Sequence, residues 1–133
     1  EADLPMLRAV IEHRHDVLAN YRESLIRAHA EELAAMRRSA PQDMRILRKL
    51  KRWLLRDERT LPDFQRAEIE RGLSMSPRLR TVVAMRRELA ALWARSMATQ
   101  EELVGRLADW CRRAEASGIG PLVEFSRRLR SYA

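Results

Sequence analysis

The chain has 133 residues, of which 26 are lysine or arginine and 19 are aspartate or glutamate, so its formal net charge is +7. It is 46% hydrophobic and has few glycines and prolines, which argues against a wholly disordered chain and favours helices. No stretch approaches the roughly 18 consecutive apolar residues of a membrane-spanning helix, and no basic-then-apolar signal segment is present.

The first predicted element is a single helix of about 30 residues, which begins near Asp3 and Pro5 and ends at Ser39-Ala40-Pro41. Its apolar residues recur at alternating spacings of three and four, and Arg14 is the one charged residue among them. Such a narrow apolar seam is typical of a helix that packs against another long helix or against a partner, such as a second copy of the chain. The seam consists of Leu4, Leu7, Ile11, Leu18, Tyr21, Leu25 and Ala28.

The second predicted helix, over residues 42–56, has an apolar side and a strongly basic side. Residues 41–60 carry 7 basic and 3 acidic residues, a marked local excess of positive charge. We interpret the basic side as a candidate binding site for phosphate, an anionic surface or an acidic protein; the alternative is a solvated face partly neutralised by Asp57 and Glu58. The apolar side holds Met44, Leu47, Leu50, Trp53 and Leu54, and the basic side holds Arg45, Arg48, Lys49, Arg52 and Arg56.

Capping patterns predict the helices that follow. Thr60-Leu61-Pro62-Asp63 resembles a capping box and opens a short helix through Ile69, and Ser76-Pro77 opens a fourth helix over residues 77–97. Thr99-Gln100-Glu101-Glu102 opens a fifth helix that ends before a left-handed Gly118, and Gly120-Pro121 opens a sixth. The chain is therefore predicted to be all-α, a single bundle-like domain over residues 1–133 with about five or six helices, two of them long.

Few side chains in this sequence have the spacing that a metal site or a catalytic site requires. No two of His13, His15 and His29 stand three or four residues apart, so we expect surface histidines rather than metal ligands. The single cysteine, Cys111, excludes an internal disulfide and lies on an apolar helix face, which favours a buried structural residue over a reactive thiolate. We predict no catalytic, cofactor-binding or metal-binding residue. Trp53, Trp93 and Trp110 are expected in the core, and Arg127, Arg128 and Arg130 at a solvated chain end.

Several segments of the chain, taken together, resemble part of a known protein family. They are residues 109–119 (DWCRRAEASGI), 124–125 (EF) and 129–132 (LRSY), with 20–22 (NYR), 50–55 (LKRWLL) and 87–93 (RELAALW) further upstream. Together they resemble the tail that follows the last histidine box of bacterial membrane-bound fatty acid desaturases. The resemblance covers nearly the whole chain and is dense from about Arg45 onward.

A smaller set of residues is also similar to a second family. Trp53-Leu54-Leu55, Trp110, Ala116-Ser117-Gly118-Ile119, Phe125 and Leu129 resemble a helical region of certain DDE-type insertion-sequence transposases. In those transposases the region lies between the second and third catalytic acids. We rank the desaturase tail higher, because the long first helix with Tyr21 and the ending at Tyr132 fit it better.

The desaturase resemblance implies a parent oxidoreductase that inserts a double bond into an acyl chain at a di-iron centre. The HxxxxH and HxxHH boxes of that family and its membrane helices are absent from this chain. The resemblance therefore implies a non-catalytic cytoplasmic domain without a cofactor, which serves docking, dimerisation or regulation at the inner face of the cytoplasmic membrane. Its expected partners are the rest of the membrane enzyme and, at the basic side, anionic headgroups, a coenzyme A phosphate or an acidic redox partner.

Two alternatives stay open. As the helical part of a transposase, the chain would contact DNA through the basic side, although no acid of a catalytic triad is assigned to it. As a stand-alone helical interaction domain, it would dimerise through the seam of the first helix. The first residue is Glu1 rather than methionine, so we expect a piece of a longer protein.

Overall fold

The computed structural model describes residues 3–94 and 98–132. Over these residues the chain forms seven α-helices and no strand, so the all-α class is confirmed and the expected five or six helices are too few. Short 3-10 turns at Pro41–Asp43 and Glu58–Thr60 flank the third helix on its two sides. The helices are α1 (Leu4–Glu12), α2 (Arg14–Ser39), α3 (Met44–Leu54), α4 (Asp63–Leu73), α5 (Pro77–Leu92), α6 (Gln100–Ala116) and α7 (Gly120–Arg130).

The additional helix arises because the long first helix is broken at His13, whose φ of −120° and ψ of 46° are not helical. In a continuous helix Arg14 would lie within the apolar seam. In the structure Arg14 is exposed, whereas Val10 and Val17 on the two sides of the break are fully buried. The prediction of one uninterrupted helix was therefore wrong, and the buried charge that it implied explains why.

The apolar seam packs within the chain. α1 lies against α6 and α7, and α2 lies against α3, α5 and α7. Tyr21, Leu25 and Ala28 are buried in these contacts, and Leu18 is half-buried. The seam is therefore occupied by the protein's own helices, and the dimer interface expected along it is not available.

An aromatic cluster joins α2, α6 and α7 at the centre of the core. The ring centroids of Tyr21 and Phe125 are 4.8 Å apart, and those of Trp110 and Phe125 are 5.8 Å apart, both in edge-on geometry. The Tyr21 hydroxyl donates a hydrogen bond of 2.6 Å to the carbonyl oxygen of Val82 in α5. Of the three tryptophans predicted in the core, Trp110 is buried, whereas Trp53 and Trp93 are half-buried.

Three predicted helix starts are confirmed, those at Ser76, Thr99 and Gly120. The hydroxyls of Ser76 and Thr99 accept hydrogen bonds from the amides of Leu79 and Glu102, which caps α5 and α6. Gly118 has a φ of +71°, as predicted for the left-handed residue after α6. Two other predictions of helix ends are not confirmed. Thr60 caps no helix, because its hydroxyl donates to the carbonyl of Asp57. The fourth helix, predicted over residues 77–97, ends at Leu92, and residues 95–97 lie outside the described residues.

Candidate functional site

The basic second helix of the prediction is α3, which is fixed to the core by one side. Met44, Leu47, Leu50 and Leu54 are buried, and α3 lies between α2 and α4. The imidazole of His29 in α2 donates from Nε2 to the carbonyl oxygen of Leu47 over 2.7 Å. His29 was expected at the surface, but α2 turns it toward α3, and only 2% of it is exposed.

The opposite side of α3 presents four cationic side chains to solvent. They are exposed, and among the described residues none of them has a carboxylate within ion-pair distance. With a rise of about 1.5 Å per residue, the first and last of them are about 10 Å apart along the axis. We call this surface the α3 basic face: Arg45, Arg48, Lys49 and Arg52.

Arg56, the fifth residue of the predicted basic side, does not lie on the helix. α3 ends at Leu54, two residues before the predicted end, and Arg56 lines a cleft beside it. The alternative interpretation expected Asp57 and Glu58 to neutralise part of this solvated side, and that part of it does not hold for the α3 basic face. Asp57 is paired with Arg59 at 2.9 Å, and Glu58 accepts from Nε of Arg87 at 3.0 Å, so both carboxylates are engaged away from the α3 basic face.

The cleft has a volume of about 590 Å³ and lies between α2, α5 and residues 55–59. Five arginines line it, and the most buried of these is Arg86, whose side chain donates a 2.6 Å hydrogen bond to the carbonyl oxygen of Leu54. Burial lowers the pKa of Arg86, although the nearby Glu58 partly offsets this effect. The arginines of the cleft are Arg14, Arg56, Arg59, Arg86 and Arg87.

Arginines on several other helices are neutralised by carboxylates. Arg113 in α6 pairs with Glu88 at 2.9 Å and with Asp109 at 3.0 Å. The chain end was expected to be solvated, but Arg130 pairs there with Glu115 at 2.7 Å and also with Asp3. Of the other two arginines at this end, Arg128 lies 3.7 Å from Glu23 and Arg127 is exposed. The positive charge of the C-terminal segment is thus partly neutralised by ion pairs within the chain.

The described residues contain no metal-ligating cluster, since no three His, Cys, Asp or Glu side chains lie close enough to hold an ion. Cys111 is buried, as predicted, and burial raises the pKa of its thiol. His13 and His15 are exposed, as expected. Over the same residues, none of the helices is both long and apolar enough to cross a membrane.

Comparison with known proteins identifies the family. Residues 9–133 match the ISL3 family of DDE transposases. The chain belongs to this transposase family. It is 32% identical over 135 aligned residues to the transposase for insertion sequence element IS1001 of Bordetella parapertussis, and the alignment covers 99% of the chain but 32% of that relative. The chain thus spans about a third of the relative's length. No solved structure matches the chain.

The transposase family overturns the desaturase interpretation. The expectation of an oxidoreductase as the parent protein is therefore wrong. The expected di-iron centre was implied only by the desaturase resemblance. The expected partners (the rest of a membrane enzyme, anionic headgroups and an acidic redox protein) and the expected location at the membrane are wrong for the same reason. The physical cause is that residues shared by both resemblances did not discriminate between the two families: Leu54, Trp110 and Phe125 are buried core residues of the helical fold. Such packing patterns recur in unrelated helical domains.

An acidic triad of the DDE type is a potential site for divalent metal ions. The residues that the structure describes do not form such a site, because their carboxylates are dispersed over the surface or paired with arginine.

Proposed function

We propose that this chain is a helical region of an ISL3-family transposase and that it binds DNA through the α3 basic face. One observation carries the proposal: four cationic side chains share an exposed helix face on which they have no carboxylate partner among the described residues. The family supports it, because the relative that aligns with the chain is named as the transposase of a DNA element.

The geometry of the face suits a phosphate backbone. A DNA strand carries one phosphate per about 3.4 Å of helix axis, so the roughly 10 Å between Arg45 and Arg52 corresponds to about three successive phosphates. Arginine adds bidentate pairing with phosphate oxygens. Since such contacts do not read base edges, the expected binding is independent of sequence and is driven by release of counterions.

The experiment compares duplex binding by the chain and by a charge-reversed variant. Fluorescence anisotropy with a labelled random duplex is recorded between about 50 and 200 mM salt. The variant Arg45→Glu, Arg48→Glu, Arg52→Glu removes three phosphate contacts. We expect its slope of log K against log salt to be shallower by about 3, and its affinity to be lower by more than tenfold.

A matched control separates the α3 basic face from net charge. Arg8→Glu, Arg80→Glu, Arg127→Glu makes the same change in charge at three exposed arginines on other helices. The control is expected to keep the original salt slope, and circular dichroism establishes that both variants are folded. An equal loss in the two variants, or a chain that does not bind the duplex, would contradict the proposal.

A further inference from the structure

The cleft beside α3 is a concave site separate from the α3 basic face. Its volume of about 590 Å³ falls within the range of about 300–1,000 Å³ that small-ligand sites occupy, and it is too small for a duplex. Cationic side chains meet small apolar ones on its walls. The apolar part consists of Leu18, Ala19, Leu55, Ala90, Ala91 and Ala94.

The cleft keeps an excess of positive charge after its ion pairs are counted. Arg59 is neutralised by Asp57, and Arg87 is neutralised by Glu58. The other cleft arginines have no carboxylate within ion-pair distance among the described residues, although both carboxylates line the same cleft. These remaining arginines are Arg14 from the first turn of α2, Arg56 after α3, and Arg86 from α5.

Arg86 is the residue of the cleft that most favours the binding of an anion. Its guanidinium is half-buried and donates to the carbonyl oxygen of Leu54, which uses part of the five N–H donors that an arginine offers. The carboxylates of Glu58 and Asp57 act on Arg86 only from beyond ion-pair distance. A partly buried cation without a direct carboxylate partner is costly for the folded protein. An anion bound against Arg86 would supply that direct partner.

We propose that Arg14, Arg56 and Arg86 bind a phosphate group in this cleft, with the nucleoside that carries it on the apolar wall. Phosphate matches the planar donors of arginine, and the alanine-rich wall leaves room for a flat ring. The phosphate belongs to a free mononucleotide or to the 5′ end of a DNA strand. Only the second of these sources rests on the proposed binding of DNA.

Isothermal titration calorimetry with dAMP and with inorganic phosphate tests the site. Both are expected to bind, and Arg14→Gln, Arg56→Gln, at two exposed positions, is expected to weaken dAMP binding by more than about tenfold. Arg45→Gln, Arg48→Gln is the matched control outside the cleft and is expected to leave dAMP binding unchanged. Arg86→Gln is a third variant, for which a thermal melt reports whether the loss of the Leu54 hydrogen bond unfolds the chain.

A trinucleotide with and without a 5′ phosphate separates the two sources. Tighter binding of the phosphorylated trinucleotide than of dAMP identifies a strand end, and binding of dAMP alone identifies a free nucleotide. Failure of dAMP and phosphate to bind, or equal binding by all variants, would overturn the proposal. The test is independent of the α3 basic face, because the glutamate variant of that face is expected to lose duplex binding and to keep dAMP binding.

Discussion

His29 is a buried titratable residue in the contact that holds the basic helix. Burial lowers its pKa from the ordinary value of 6.5; the hydrogen bond to Leu47 opposes this shift, and the nearby Lys51 ammonium adds to it. The folded chain therefore keeps the imidazole neutral at pH values where the unfolded chain binds a proton. Above pH 6.5 both states are neutral and the residue contributes no pH dependence.

We predict that the free energy of unfolding falls as the pH drops below about 6.5, with a slope of at most about 1.4 kcal/mol per pH unit. Urea unfolding of the chain between pH 7 and pH 5 measures this slope. The variant His29→Gln keeps a donor for the Leu47 carbonyl and is expected to be nearly flat over the same window. The carboxylates of Asp57, Glu115 and Glu124, whose pKa values are lowered, titrate below it. Identical slopes for both proteins would refute the assignment.

The sequence pattern alone does not identify His29 as a core residue. His29 directly follows Ala28, the last residue of the predicted apolar seam. The narrow spacing of that seam does not include His29. The packing of α3 against this side widens the buried surface to include the imidazole, and the carbonyl of Leu47 satisfies its donor. Neither fact is visible before the two helices are placed together.

At the level of elements, α3 is held against α4 at a position where a glycine is required. A Cβ atom on Gly72 would lie 2.0 Å from Cδ1 and 3.0 Å from Cγ of Leu50, which is buried in the same contact. The absence of a side chain at Gly72 therefore sets how closely the two helices approach. A larger residue at this position forces either the buried Leu50 side chain or α3 itself to shift.

We predict that Gly72→Ala lowers the free energy of unfolding by about 1–2 kcal/mol, because overpacking outweighs the better helix propensity of alanine. Gly105→Ala in α6 is the control, since a Cβ there meets no atom within 4 Å. The control is expected to raise stability by about 0.5–1 kcal/mol. Chemical unfolding of both variants measures the two changes, and a stabilising Gly72→Ala would show that Leu50 repacks freely.

Helix boundaries follow from the sequence where a side chain caps the helix and fail where packing decides. Ser76 and Thr99 were identified as caps because their hydroxyls bind amides within the same turn. The break at His13 was not predicted, because no side chain caps a helix there. The end of α3 at Leu54 was missed similarly, and it moves Arg56 from the helix into the cleft.

At the scale of the whole molecule, the sequence predicts where positive charge is concentrated but not which arginines form ion pairs with carboxylates. The basic excess of residues 41–60 was predicted as a surface, and its α3 side chains are exposed in the structure. The arginines of the chain end looked equally free, yet Arg130 meets Asp3 and Glu115, which are 127 and 15 residues away. Partners at such separations become visible once α1, α6 and α7 are packed together.

Arg130 ties the last helix to both α6 and the start of α1, and only 21% of its side chain is exposed. Burial raises the pKa of Glu115, but hydrogen bonds from Arg130 and Ser126 more than offset this, so the net shift is downward. A carboxylate with a depressed pKa stabilises the fold above its unfolded pKa, near 4.5, and loses that contribution as the pH falls below it.

We predict that Arg130→Gln lowers the free energy of unfolding by about 1–3 kcal/mol at neutral pH, because Glu115 and Asp3 lose a shared partner in a half-buried site. The difference from the unmodified chain is expected to shrink as the pH falls below 4.5 and through the lowered pKa of Glu115 in the folded chain. Arg127→Gln, at an exposed position of the same helix, should change stability by less than about 0.5 kcal/mol. Urea unfolding at neutral and acidic pH measures all three proteins. A loss for Arg130→Gln no larger than that of Arg127→Gln would mean that the two ends of the chain are held together by apolar packing alone.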